Sequence, residues 1–197
     1  MSDFLQKINW IDLLAVILLV RSSYVGFTKG FGWEFFRFLG YLGGAFLSVY
    51  YYEYVSQLTG DYLPAVSPFS NLISFTSIYI LILFIFKFIN TIIEKIIKIE
   101  IFSTLERLGG LILGFLRGAI TLSLILITLV LMPVPYFEKS VKERSYTGPT
   151  ILMVVPFLYE RAAKIFPALK FERRNEALSK VTGLDDWPAA LKRMRGN

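Results

Sequence analysis

The chain has 197 residues, of which 55% are hydrophobic and only 18% are charged. An average soluble domain is about 45–50% apolar and about 25% charged, so this composition is typical of an integral membrane protein. The sequence contains neither cysteine nor histidine. Disulfides, thiolate nucleophiles, Cys/His zinc sites and imidazole bases are therefore excluded.

Four apolar windows predict four membrane-spanning helices, since a bilayer core needs about 20 apolar residues in a helix. The windows cover residues 10–28, 33–54, 70–93 and 109–132. The short connection from Lys29 to Gly32 predicts a tight antiparallel hairpin between the first two spans. We therefore predict an all-α membrane protein with a four-span domain at residues 1–137, arranged in antiparallel hairpins.

Residues 138–197 are predicted to form an extramembrane helical tail. Between Ile151 and Phe166 the pattern is apolar, with charged residues on one side, which favours an amphipathic helix on the membrane surface. Short polar helices are expected at 172–181 and after the Asp-Trp-Pro sequence at 186–188. The alternative is a solvated, partly disordered tail.

The basic residues predict the topology. The first and third connections with their flanks contain lysines and arginines, whereas the second connection, from Glu53 to Asn71, contains none. Loops rich in Lys and Arg stay in the cytoplasm. Four spans then place Met1 and Asn197 outside the cytoplasm. The basic tail pulls against this orientation, but long segments cross largely regardless of charge.

Glycines recur every four residues in or beside the spans, which places them on one helix face. The sets are Gly26 with Gly30, Gly40 with Gly44, and Gly110 with Gly114 and Gly118. Such stripes let two helix backbones approach closely. The favoured interpretation is packing of helices within one chain, and the alternative is a surface for self-association.

Several charged residues fall within or beside the spans. Asp12 and Arg21 are nine positions apart, roughly 900° of helical rotation, so they face opposite sides. Asp12 is expected either in water at the outer interface or in a functional role. We expect four cations to extend to the inner headgroups: Arg21, Lys29, Lys87 and Arg117. The alternative is an ion network that pairs Arg117 or Lys29 with Glu34 or Glu106, and that holds the spans or binds an anion or a partner.

Two blocks of sequence carry a family resemblance. The run from Leu105 to Gly118 contains Glu106-Arg107, Gly110, Gly114 and Arg117-Gly118 in the order acid-Arg-x-x-Gly…Gly-x-x-Arg-Gly. The other block lies nearer the N-terminus and contains Trp10-Ile11-Asp12, then Gly26-Phe27-Thr28-Lys29-Gly30, then Glu34. Together they resemble the colicin V production (CvpA) family. Lys29 stands where that family often has arginine, and the tail beyond Pro167 does not align.

The resemblance implies a small multispan protein of the bacterial inner membrane that supports production or export of a toxin, or an envelope function. It supplies no catalytic residue and no cofactor, and without histidine a Ser–His hydrolase is excluded. We therefore expect a protein that is not an enzyme. Its expected partners are the lipid bilayer and a second copy or another membrane or periplasmic protein, but no nucleic acid. The alternative function is a small oligomeric channel or transporter lined by Asp12, Ser74, Thr76, Ser77 and Asn90.

Overall fold

The computed structural model of the chain describes residues 9–62, 70–96, 104–132 and 134–165. All regular structure within these ranges is helical. The three long helices are α1 (Trp10–Tyr62), α2 (Ser70–Ile96) and α3 (Thr104–Leu131). They are followed by α4 (Pro135–Lys139), a π-helical turn (Ser140–Arg144), α5 (Gly148–Leu152) and α6 (Val154–Ile165). The predicted all-helical class is thus confirmed.

Three stretches are long and apolar enough to cross a membrane: Trp10–Tyr52, Leu72–Ile92 and Thr104–Leu131. The chain is therefore a membrane protein, as its composition predicts. Two of these stretches match the windows predicted at 70–93 and 109–132. The windows predicted at 10–28 and 33–54 both lie within α1. The first stretch, which has 43 residues, covers them as far as Tyr52.

Helix α1 is broken at Gly30, whose backbone angles are φ 78° and ψ 169°. This left-handed conformation is open to glycine and costly for residues that carry a Cβ. The break divides α1 into a first arm, residues 10–29, and a second arm, residues 31–62. It falls inside the predicted Lys29–Gly32 connection.

The second arm packs along α2 in an antiparallel direction. Gly40 lies against Phe86, and Gly44 lies farther along, against Tyr79. Near the far end, the rings of Tyr52 and Phe75 meet edge to face at 6.4 Å. The opposite side of α2 keeps large apolar side chains exposed. Exposed apolar side chains along a long helix suit contact with lipid.

The segment after α3 folds back onto the bundle. Leu152, Val155 and Tyr159 belong to the buried core, and the Tyr159 ring meets the ring of Phe46 at 5.6 Å. Pro156 has no N–H to donate to the carbonyl of Leu152. The Ser123 hydroxyl donates to that carbonyl instead, at 3.1 Å.

This packing gives the apolar residues between Ile151 and Tyr159 a protein partner. Its predicted place at the membrane surface stays a prediction. The further tail helices, at 172–181 and after 186–188, lie outside the described residues.

Candidate functional site

The first arm of α1 crosses α3 at a stripe of small residues. A Cβ added to Gly114 would lie 2.5 Å from the Ser22 carbonyl oxygen and 3.0 Å from the Gly26 Cα. A Cβ on Gly118 would lie 2.8 Å from the Ser22 Cβ, and one on Gly110 would overlap the Gly26 carbonyl oxygen. The two backbones are therefore too close for any side chain larger than hydrogen at these positions. The approach is antiparallel, since rising numbers on one helix meet falling numbers on the other.

The crossing has a Gly30 end, where Gly30 and Phe31 meet the start of α3. There, a Cβ on Gly110 would lie 2.8 Å from the Gly30 carbonyl carbon, and one on Gly109 would lie 2.9 Å from the Phe31 ring. The break in α1 therefore packs directly on the start of α3. Because Gly30 needs its left-handed conformation and Gly110 needs its missing Cβ, the sequence specifies this contact from both sides.

A buried ion pair lies beside the glycine crossing. Arg117 Nε is 2.5 Å from Glu34 Oε1, with the Glu34 side chain fully buried and the Arg117 side chain 13% exposed. Arg117 Nη2 donates to the Ser22 hydroxyl at 3.1 Å, and that hydroxyl donates to the Gly114 carbonyl oxygen at 2.7 Å. The guanidinium also lies over the Tyr41 ring, 5.3 Å from its centroid. One side chain of α3 thus contacts both arms of α1.

This geometry corrects one expectation from the sequence. Arg117 does not extend to the headgroups as a free cation, because Glu34 and Tyr41 hold it within the bundle. The alternative network, in which Arg117 pairs with Glu34, is the one that the structure contains. Breaking such a buried pair is costly because it leaves one charge without compensation. The pair therefore fixes where the second arm sits relative to α3.

Two cavities flank the Arg117–Tyr41 contact. The smaller, of about 270 Å³, is lined by Arg21, Ser22, Tyr41, Arg117 and Thr121 among others. The larger, of about 530 Å³, is lined by Arg37, Tyr41, Phe84, Lys87, Asn90 and Arg117 among others. Cations therefore face both cavities.

Asp12 joins the start of α1 to the turn before α5. Its Oδ1 accepts from the Ser145 hydroxyl at 2.7 Å, from the Thr147 hydroxyl at 2.7 Å and from the Thr147 backbone N–H at 2.9 Å. Its Oδ2 accepts from the backbone N–H groups of Asn9 at 3.0 Å and Tyr146 at 3.3 Å. The interpretation in which water solvates Asp12 is wrong, because the residue is only 8% exposed. Hydrogen bonds to an ionised group are strong, so Asp12 anchors this turn.

The remaining predicted residues lie around these two centres rather than in them. Arg21 is exposed and lines the smaller cavity, on the face opposite Asp12. Lys29 is exposed next to the break, Arg107 is exposed in the first turn of α3, and Glu106 is half-buried beside it. Among the residues proposed for a channel, Asn90 lines the larger cavity while Asp12 is held by the turn.

Several contributors were missed from the sequence. Ser22 is four residues before Gly26, so the spacing that identified the glycines would have identified it as a small residue of the same stripe. Tyr41, Ser145 and Thr147 had no such signal, because their roles depend on residues far away in the chain. In the part of the chain that the structure describes, no three acidic side chains come together to hold a metal ion.

Comparison with known proteins supports the resemblance carried by these residues. The family model described as colicin V production protein matches residues 11–156. This range contains Asp12, Glu34, the crossing glycines and Arg117. Searches of curated proteins and of solved structures gave no significant match. Since the family model covers most of its length, the chain belongs to the colicin V production protein family.

Proposed function

We propose that this chain is a non-enzymatic protein of the bacterial inner membrane that supports the production or export of a peptide toxin, and otherwise serves the cell envelope. The family match carries this proposal. The described site agrees with it, since its parts are packing contacts, an ion pair and an anchored turn. We further propose that the chain acts beside a second copy or another membrane or periplasmic protein.

The proposal includes four crossings of the bilayer. The first apolar stretch has 43 residues, which in a straight helix would extend about 65 Å, roughly twice the ~30 Å of a bilayer core. The break at Gly30 divides this stretch. Arg117 contacts Ser22 before the break and Glu34 after it. Both arms therefore reach the same level of α3, which supports a hairpin of two spans.

In this arrangement, the four spans are held by the glycine crossing between the first arm and α3, and by the Glu34–Arg117 pair between the second arm and α3. Neither contact requires a hydrophobic driving force, which is absent between helices within lipid. The Gly30 end would face the cytoplasm, because its flanks contain the basic residues.

The test uses a strain that secretes a colicin V-type toxin and lacks its own copy of this protein. We expect toxin in the medium to fall without the gene and to recover with the wild-type chain. Glu34→Gln should recover less than Glu143→Gln, which removes an exposed carboxylate from the π-helical turn. Protein levels in the membrane are measured in parallel. Equal toxin release with and without the gene would contradict the proposal.

Liposomes distinguish the alternative of a small oligomeric channel or transporter. The purified chain is reconstituted, and the flux of ions and small solutes is compared with that of empty vesicles. Our proposal expects no added flux. Flux that depends on the amount of protein would favour the channel.

A further inference from the structure

The two cavities beside the Arg117–Tyr41 contact have polar side chains in their walls. Arg117 and Tyr41 line both cavities, which therefore lie on the two sides of one contact. The larger has a volume of about 530 Å³, enough for on the order of ten water molecules at about 30 Å³ each. Further side chains with N–H or O–H groups line the two cavities: Arg21, Ser22, Lys87, Asn90 and Thr121.

Two of these side chains are attached deep in the membrane. Gly110 packs on Gly30, so Thr121, eleven positions farther along α3, is about 16 Å from the Gly30 end. Arg21 is nine positions before the break, or about 14 Å along the first arm. With the Gly30 end at one boundary of a ~30 Å bilayer core, both residues lie near its middle.

The wall formed by α2 is polar at the same depth. Gly40 is ten positions after the break, or about 15 Å along the second arm, and it packs on Phe86. Lys87 is the next residue of α2, and Asn90 lies about one turn nearer the Gly30 end. Polar lining on this side therefore continues from the middle of the core toward the Gly30 end.

Lysine and arginine at this depth need water or a polar partner, because the transfer of their charge into lipid is strongly unfavourable. Charged residues within membrane spans accordingly face the interior of a bundle or a water-filled cavity. Arg117 has protein partners in Glu34 and Ser22. Arg21 and Lys87 are exposed side chains that border the cavities. Their need is for hydration, and it does not depend on the net charge of the lining.

We propose that the two cavities form a water-filled vestibule that opens to the cytoplasm at the Gly30 end and ends near Thr121. Water in this vestibule hydrates the deep cations at their own level. Beyond Thr121, apolar side chains that are fully buried close the described core, among them Leu122, Leu126 and Phe75. The vestibule therefore does not cross the membrane, which agrees with our expectation that liposomes show no added flux. This inference goes beyond the proposed function, but the opening to the cytoplasm rests on the topology proposed there.

Single cysteines test the vestibule, because the chain contains no cysteine of its own. Asn90→Cys and Thr121→Cys each place a thiol in the lining. The matched controls are Ile89→Cys and Val20→Cys, at similar depths but outside the described lining, where the native side chains are 41% and 64% exposed. Inverted membrane vesicles that contain each full-length variant are treated with a charged methanethiosulfonate reagent that does not cross lipid. The rate of modification is followed by the loss of maleimide labelling.

We expect the two lining cysteines to react at least about tenfold faster than their controls, because the reactive thiolate and the charged reagent both require water. Equal rates at lining and control positions would overturn the vestibule, since acyl chains rather than water would then fill the cavities. Fast reaction of Asn90→Cys alone would overturn the extension to Thr121. If Thr121→Cys fails to fold, Leu18→Cys replaces it, since Leu18 lines the smaller cavity about 18 Å from the Gly30 end.

Lys29→Cys separates this proposal from the topology. Lys29 is exposed beside the break, so its cysteine reports the side of the membrane on which the Gly30 end lies. Fast reaction of this cysteine and of the lining cysteines from the cytoplasmic side supports both proposals. Fast reaction of Lys29→Cys with slow reaction of the lining would overturn the vestibule and leave the topology intact. Fast reaction of all of them in intact cells, from the outer side, would support the vestibule and overturn the proposed orientation.

Discussion

Substituting alanine for Gly114 tests whether the backbones of α3 and the first arm of α1 are in direct contact at this position. The new Cβ would lie 2.5 Å from the Ser22 carbonyl oxygen and 3.0 Å from the Gly26 Cα. Both neighbours are backbone atoms, so neither can rotate away, and the two helices must separate. That separation also lengthens the hydrogen bond from Ser22 to the Gly114 carbonyl, now 2.7 Å.

The expected magnitude combines two effects. Overpacking costs about 1–3 kcal/mol, while alanine in place of glycine inside a helix returns about 0.5–1 kcal/mol. The two ranges together give a net loss of stability of up to about 2.5 kcal/mol. For a chain of this size, that loss corresponds to a fall in Tm of up to about 10 °C. Gly114→Leu should be worse and should lower the yield of folded protein.

Gly43→Ala is the matched control for this prediction. Its Cβ would lie 3.7 Å from the Phe86 ring, an ordinary van der Waals contact. We therefore expect this variant to match or slightly exceed the wild-type stability. Thermal unfolding of each full chain in detergent, followed by tryptophan fluorescence, gives the comparison. If Gly114→Ala melts at the same temperature as Gly43→Ala, the close crossing is wrong.

Three further predictions concern the ion pair, the anchored turn and the topology. Glu34→Gln should lower the free energy of unfolding by about 3 kcal/mol because it leaves Arg117 buried without its partner. The double variant Glu34→Gln with Arg117→Gln should lose less stability than the sum of the two single variants. Unfolding measurements in which the two losses simply add would contradict the ion pair. Asp12→Asn should lower the free energy of unfolding by about 1–3 kcal/mol and should speed proteolysis at the turn that contains Ser145. The control Glu143→Gln should have neither effect. Unchanged proteolysis of the Asp12→Asn variant would refute the role of Asp12 as the anchor of this turn. Alkaline phosphatase fused after Asn197 should be active and a reporter that matures only in the cytoplasm should stay dark; the reverse result, with a fusion after Gly60 still reading external, would mean an odd number of spans and would contradict the four-span topology.

The membrane class and the helical windows follow from the sequence because they depend on local properties. A run of about 20 apolar residues predicts a span wherever it occurs, and α2 and α3 match their predicted windows closely. The four-residue spacing of Gly110, Gly114 and Gly118 placed them on one face by helical geometry alone. The family resemblance was equally local, since a few residues in two blocks carried it.

The partners of those residues were decided by the tertiary structure. The glycine spacing did not indicate that the stripe meets Ser22 and Gly26, nor did the charge of Arg117 distinguish a free cation from the partner of Glu34. Asp12 was recognisable as a charge near the start of a span, but its donors in Ser145, Tyr146 and Thr147 lie more than a hundred positions away in the chain. Periodicity and apolar length are encoded within one helix, whereas contacts between helices depend on which distant segments come together in space. Only the folded chain brings those segments into contact.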